Sequence, residues 1–208
     1  TGGKKGKDSL STNEVAAGLK EALSKGVTNG TTRLSSKDGF FKDAAIKILM
    51  PPEAEKVEST LRGIGLGKQV DDAILSMNRA AEDAAKSAAP IFLDAIKQMS
   101  FADAWGILSG GDTAATGYLR SKTTASLTTA FRPIIEGALE KTGATKYWST
   151  AFTSYNKFSL KKVNPDLAAY VTDKALSGIF YEVAQEEKLI RKDPLAQTSD
   201  LLKKVFGK

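Results

Sequence analysis

Apolar residues recur at helical spacing through most of this chain, and this periodicity limits the fold more than any other feature. The first such segment carries apolar residues at four-residue steps: Val15, Leu19, Leu23 and Val27. Residues four apart share one face of a helix, so the segment predicts a helix with one buried side. Ser11 and Glu14 precede it in the S-x-x-E pattern of a capping box, which predicts that this helix begins at Ser11.

Similar patterns predict further helices, at 53–63, 70–89, 91–99, 101–108, from Thr113 onward, 122–141, 144–156 and 165–191. Pro133 is expected to bend one of them. Two segments, 46–50 and 158–163, are candidates for one short two-stranded β element. The predicted fold class is therefore all-α: a single-domain bundle of about eight helices at 11–208, preceded by a flexible basic leader at 1–10.

The chain contains no histidine and no cysteine. These are the side chains that most often serve as nucleophile, proton carrier or metal ligand. The acidic pairs in the sequence also lack the spacing of a calcium-binding loop. We therefore predict no catalytic residue, no metal site and no cofactor. The 208 residues, 41% of them hydrophobic, suffice for a core that needs no disulfide bond.

The formal net charge is +6, but Lys4, Lys5 and Lys7 in the leader supply half of it. The rest of the chain is nearly balanced in charge, so we predict no nucleic-acid partner. No apolar run is long enough to span a bilayer. The Gly- and Lys-rich leader is typical of a tether left after removal of a targeting segment, and it would allow peripheral association with a membrane.

A candidate polar cluster consists of Asn78, Arg79, Asp112, Arg120, Glu186 and Glu187. Glu186 or Glu187 falls on the apolar face of the last long helix, where a carboxylate needs a partner. Arg79 or Arg120 is predicted to supply it. Such a cluster either fixes the register of the helices or lines a pocket for a small ligand.

The turn 109–113 is a separate candidate for ligand binding, because glycines before a helix can present backbone N–H groups to an anion. Asp112 is predicted to cap the helix that follows and to occupy those donors itself. Plain capping is therefore favoured over ligand binding at this turn.

A third candidate is an aromatic face formed by Trp148, Phe152 and Tyr155, which are spaced i, i+4 and i+7. Large aromatic side chains at helical spacing usually pack in a core. The alternative is a surface that binds a membrane or a glycan, with nearby lysines such as Lys157 and Lys161 beside the rings.

Several ordered stretches carry a resemblance: LSMNRAAE at 75–82, IKQMS at 96–100, ILSGGDTAAT at 107–116 with Tyr118 and Arg120, and LLKKVF at 201–206. They are similar to an uncharacterised bacterial family, domain of unknown function 4197. The resemblance implies exported, often lipid-anchored envelope proteins with no established activity. It therefore implies a periplasmic or outer-membrane-associated location, with a lipid anchor in the precursor.

Together these features predict a non-enzymatic envelope protein that binds a protein, lipid or glycan partner through its helical body. The alternative is a hydrolase that cleaves an envelope polymer with glutamate and aspartate side chains around Arg79, Asp112 and Arg120. A concave cleft that holds two carboxylates would favour this alternative.

Overall fold

The computed structural model describes residues 11–192, and these form eight α-helices. Their bounds are α1 Thr12–Ser35, α2 Glu55–Gly63, α3 Gly67–Ala85, α4 Ala88–Lys97, α5 Phe101–Leu108, α6 Ala114–Lys141, α7 Ala144–Asn156 and α8 Leu167–Lys192. A single 3-10 turn, Pro52–Ala54, precedes α2. The all-α prediction is confirmed. The predicted leader at 1–10 lies outside the described residues.

Capping boxes start two of the helices, and the one at Ser11 is the box that the sequence predicts. At α1 the Ser11 hydroxyl accepts from the Glu14 N–H at 3.2 Å, and the Glu14 carboxylate accepts from the Ser11 N–H at 2.9 Å. Ser100 and Asp103 repeat this arrangement at α5. Both caps satisfy N–H groups that have no partner inside the helix.

The chain from 114 to 141 is one helix, whereas the sequence patterns predict two. α6 runs through the hydroxyl-rich stretch without a break and contains Pro133. The hydroxyls of Thr123, Thr124 and Thr128 each donate to the carbonyl four residues earlier, at 2.6–2.7 Å. These hydroxyls therefore form hydrogen bonds within the helix, and not the bonds to nearby backbone groups that would favour a turn.

The two long helices α6 and α8 pack against each other along the centre of the bundle, with α3 beside α6 and α1 beside α8. Helix α8, at 26 residues, is about 39 Å long. Phe92 and Phe180 meet edge to face between the helices, with ring centroids 5.9 Å apart. The interior is filled by large side chains that include Phe131, Trp148 and Phe152.

Helix α1 lies unusually close to α8, and the two run in opposite directions. A Cβ atom at Gly26 would come within 3.3 Å of the Glu186 Cβ, and one at Gly30 would come within 3.2 Å of the Glu182 Cγ. The missing side chains let the two backbones approach. This approach brings the end of α1 next to the glutamates of α8.

The predicted β element is wrong, because residues 11–192 contain no strand. The backbone of Ile48 bonds to a side chain on α3: its N–H donates to the Asn78 Oδ1 at 2.8 Å, and its carbonyl accepts from the Asn78 Nδ2 at 2.9 Å. In 158–163, Asn156 pairs in the same way with the N–H and carbonyl of Val163. In each segment an asparagine amide takes the place of a neighbouring strand.

None of the helices described is both long enough and apolar enough to cross a membrane.

Candidate functional site

The sequence predicts that Glu186 or Glu187 lies on the buried face of α8, and both are buried. Glu186 is 6% exposed and Glu187 is 3% exposed. Glu182 on the same helix and Glu82 on α3 are buried as well. An unpaired buried carboxylate would cost several kcal/mol, so the partners of these groups decide what they do.

Glu187 caps helix α6 from the side of α8. Its carboxylate accepts from the N–H groups of Ala115 and Thr116, both at 2.8 Å, and from the Thr116 hydroxyl at 2.7 Å. Arg191, one turn later on α8, donates to it at 2.9 Å. The negative charge lies at the positive end of the α6 dipole, where it is stabilised.

The prediction that Asp112 caps this helix is wrong. The residue before α6 is Thr113, and no side chain next to it in sequence makes a capping hydrogen bond. Asp112 pairs instead with Lys192 at 3.0 Å, on the surface. The donors at the start of α6 are occupied by Glu187, so this turn offers no ready site for an anion.

Arg33 at the end of α1 holds the other two glutamates of α8. It forms ion pairs with Glu182 and Glu186, and its Nε donates to Glu182 at 2.9 Å. The close packing of α1 on α8 described above makes this contact geometrically feasible.

The predicted pairing of Arg79 or Arg120 with Glu186 or Glu187 is wrong. Arg79 donates to Glu82 and to Asp38, both at 2.8 Å. These bonds raise the pKa of Arg79, the one to Glu82 most strongly. Arg120 lies over the Phe180 ring, 4.5 Å from its centroid.

Glu82 also accepts from the N–H groups of Phe40 and Phe41, at 3.2 Å each. Together with Arg79 it therefore holds the loop after α1. The candidate cluster is not one pocket. It divides into separate contacts at different places in the bundle.

Asn78 is fully buried and uses its whole amide within the protein. Besides its two bonds to Ile48, its Nδ2 donates to the Ile74 carbonyl at 2.8 Å. Asn78 is therefore a structural link between α3 and the segment 46–50.

The aromatic face of α7 packs in the core. Trp148 and Phe152 are each 1% exposed, and their ring centroids lie 4.4 Å apart. The Trp148 indole N–H donates to the Asn164 carbonyl at 2.8 Å, and Tyr155 is half-buried against the core. The prediction of core packing is confirmed for these residues, and the alternative of a binding surface is wrong for Trp148 and Phe152.

Exposed apolar side chains appear just beyond this helix, in residues 157–163, here called the lysine loop. Phe158 is 92% exposed and Leu160 is 104% exposed. Lys157, Lys161 and Lys162 are exposed beside them. A second exposed aromatic pair, Phe101 and Trp105, stacks on α5 with ring centroids 6.4 Å apart.

A groove of about 520 Å³ between α4, α5 and α6 contains two carboxylates, Asp94 and Asp103. Asp94 accepts from Gln98 at 2.8 Å, and Asp103 caps α5. The backbone hydrogen bond from Ser100, followed by the one that involves its hydroxyl, lowers the pKa of Asp103. Burial raises the pKa of Tyr118, whose hydroxyl lies 3.4 Å from Asp103. Asp103 is therefore ionised near neutral pH, whereas a general acid must carry a proton.

Substitution Asp103→Asn tests this cap through the pH dependence of stability. A carboxylate with a lowered folded-state pKa stabilises the fold above its unfolded pKa of about 3.9, and this contribution is lost as the pH falls through the lowered value. Wild type should therefore have the higher urea midpoint at pH 7, and the difference should vanish in acid. A difference that stays constant with pH would contradict the assignment.

Among residues 11–192, no group of three or more acidic side chains is placed to hold a metal ion. The family model for DUF4197, described as a protein of unknown function, matches residues 9–207. The chain belongs to this family. No curated protein and no solved structure matches it. The DUF4197 match includes the whole described body and every candidate residue named above.

Sequence reasoning missed four residues of these contacts. Arg33 and Arg191 bind buried carboxylates, and Glu82 and Glu182 are themselves buried carboxylates. One signal was present, because Arg191 stands four residues after Glu187 and this spacing pairs side chains on a helix. The contact of Arg33 with Glu182 had no such signal, since 149 residues separate the two. The lysine loop could have been found from Phe158 and Leu160 lying between lysines, beyond the periodic part of α7.

Proposed function

We propose that this DUF4197 member is a non-enzymatic binding protein of the cell envelope, exported and lipid-anchored in its precursor. The observation that carries the proposal is the use made of the buried charges. Each of the four buried glutamates accepts hydrogen bonds from an arginine, and two of them also accept from backbone N–H groups. These carboxylates are bound by groups of the protein itself. We therefore assign the binding function to side chains on the surface.

The surface offers features that fit binding. The lysine loop exposes apolar and cationic groups together. Exposed apolar side chains that cluster are typical of interaction sites. The envelope location follows from the family resemblance, which implies exported and often lipid-anchored proteins.

Fractionation of cells that produce the full-length precursor tests the location. We expect the protein with the membrane or periplasmic markers, and the purified chain should sediment with isolated envelopes in a saturable manner. Presence with the cytoplasmic marker, together with no saturable sedimentation, would contradict the proposal. Release of soluble fragments from the envelope polymer, detected by mass spectrometry, would favour the hydrolase instead.

A further inference from the structure

We infer that the lysine loop docks the helical body onto an anionic phospholipid bilayer. The inference rests on the proposed function and deepens it, because it names the partner and the residues that contact it. Phe158 and Leu160 would enter the boundary between headgroups and acyl chains, while Lys157, Lys161 and Lys162 would contact lipid phosphates.

The loop is held in place from within. The Asn156 side chain bonds to both backbone groups of Val163, which is itself buried. The Ser159 hydroxyl donates to the Lys161 carbonyl at 2.7 Å and accepts from its N–H at 3.2 Å. These bonds fix the base and the turn of the loop, so the exposure of Phe158 and Leu160 belongs to a defined conformation.

The charged side chains of the loop itself all have one sign. Residues 157–165 contain three lysines and no acidic residue. None of these lysines forms an ion pair within the described part of the chain. The next carboxylate, Asp166, is bound by Arg132 at 2.6 Å. An anionic surface would therefore meet unopposed positive charge.

The combination of groups favours a bilayer over a protein partner. Phe158 and Leu160 are almost completely exposed, so they stand at a tip and line no groove. Apolar side chains at a tip with lysines around them match the layered chemistry of a membrane interface, where an apolar zone lies just below a charged one. The Phe101–Trp105 pair lacks this pattern, because α5 also carries Asp103, and Asp112 follows it closely.

The loop is also distant from the start of α1. It precedes the start of α8, whereas Arg191, at the other end of that helix, donates to the Ile107 carbonyl of α5. Because α1 runs opposite to α8, the chain enters the body at the α5 end. The two ends are separated by the length of α8, about 39 Å. Contact through the loop is therefore separable by mutation from contact through the leader.

Vesicle sedimentation of the full chain tests the inference. Wild type should bind vesicles of phosphatidylethanolamine with phosphatidylglycerol, and should bind phosphatidylcholine vesicles weakly. Binding should weaken as salt shortens the Debye length from about 10 Å at 0.1 M to about 3 Å at 1 M. Lys161→Gln with Lys162→Gln should lower the partition coefficient about 25-fold, at roughly fivefold for each lysine near an anionic surface. Phe158→Ser with Leu160→Ser should lower it about tenfold or more.

Matched variants elsewhere on the body serve as controls. Lys37→Gln with Lys141→Gln removes the same charge, and Phe101→Ser with Trp105→Ser removes a similar apolar pair. Both should bind like wild type. Equal losses in the loop and control variants would overturn the inference, because they would indicate a general effect of charge or apolarity. Loss of binding in Lys4→Gln with Lys5→Gln and Lys7→Gln, with the loop variants unchanged, would assign the contact to the leader.

A label gives a direct readout of insertion. The chain has no cysteine, so Phe158→Cys provides a unique site for an environment-sensitive fluorophore. Emission from this site should rise and shift to the blue with the anionic vesicles, while Trp105→Cys carrying the same label should not respond. If the label at 158 stays in water, the inference fails. If the full chain binds isolated envelopes but no vesicle, the inference fails while the proposed function stands.

Discussion

Glu187→Ala is expected to lower the free energy of unfolding by about 3–5 kcal/mol. The change leaves the N–H groups of Ala115 and Thr116 without their acceptor inside the bundle. It also leaves Arg191, whose side chain is only 12% exposed, without its buried carboxylate partner. Urea unfolding followed by circular dichroism measures the change.

Asp112→Ala is the matched control, because the sequence assigns the cap of α6 to Asp112 and the structure assigns it to Glu187. Asp112 lies at the surface, and its one ion pair within residues 11–192 is with Lys192. Exposed ion pairs contribute little, so the urea midpoint should hardly move. The urea midpoint of Glu187→Gln should lie between those of Glu187→Ala and Asp112→Ala, since glutamine keeps one acceptor and removes the charge. An Asp112 effect as large as that of Glu187 would contradict the assignment.

The helices could be predicted because the evidence for them is local. Val15 to Val27 mark one buried face within a single segment, and the capping pairs of α1 and α5 stand three residues apart. The single α6 was predicted as two helices, one from Thr113 onward and one at 122–141. The hydroxyl-rich stretch was placed in a helix despite its modest helix propensity. In the fold the hydroxyls of Thr123, Thr124 and Thr128 bond back to the helix, and their cost is offset by the packing of α6 on α8.

The candidate site was predicted only in part, because its contacts depend on how helices lie against one another. The apolar pattern of α8 predicts that Glu186 or Glu187 is buried, and both are. It does not give Arg33 as a partner, since that contact depends on the close approach of α1 at Gly26 and Gly30. Periodicity shows which residues share a face of a helix. Which neighbouring helix that face contacts depends on how all the helices of the bundle pack.

The same limit applies to the aromatic residues. Trp148 and Phe152 share a helical face, and that face turns inward. Phe158 and Leu160 lie beyond the end of α7, so the helical pattern of apolar residues does not predict that they are buried. The lysines noted beside the aromatic face therefore flank these exposed side chains and not the indole ring of Trp148.

The second large effect is expected for Asn78→Ala, which should lower the free energy of unfolding by about 2–5 kcal/mol. Asn78 supplies the partner for both the N–H and the carbonyl of Ile48, and all three groups are buried. Alanine leaves two backbone groups unsatisfied where water does not reach them. Asn78→Asp should be at least as harmful at neutral pH, because it removes the donor and introduces a buried charge.

Asn156→Ala is the natural comparison, since Asn156 makes the same pair of bonds to Val163 but is only half-buried. Water can replace the lost amide there, so the expected cost is about 1 kcal/mol. Hydrogen exchange separates a local from a global effect. In Asn78→Ala the exchange rate of the Ile48 amide should rise more, relative to wild type, than the rates of the amides in α3. Equal costs at the two asparagines, with no change in exchange at Ile48, would contradict the role of Asn78 as the partner of this segment. The contrast follows chiefly from burial, because each amide bonds to the N–H and carbonyl of one residue while the two differ in their access to water. Asn78 also donates to the Ile74 carbonyl within its own helix.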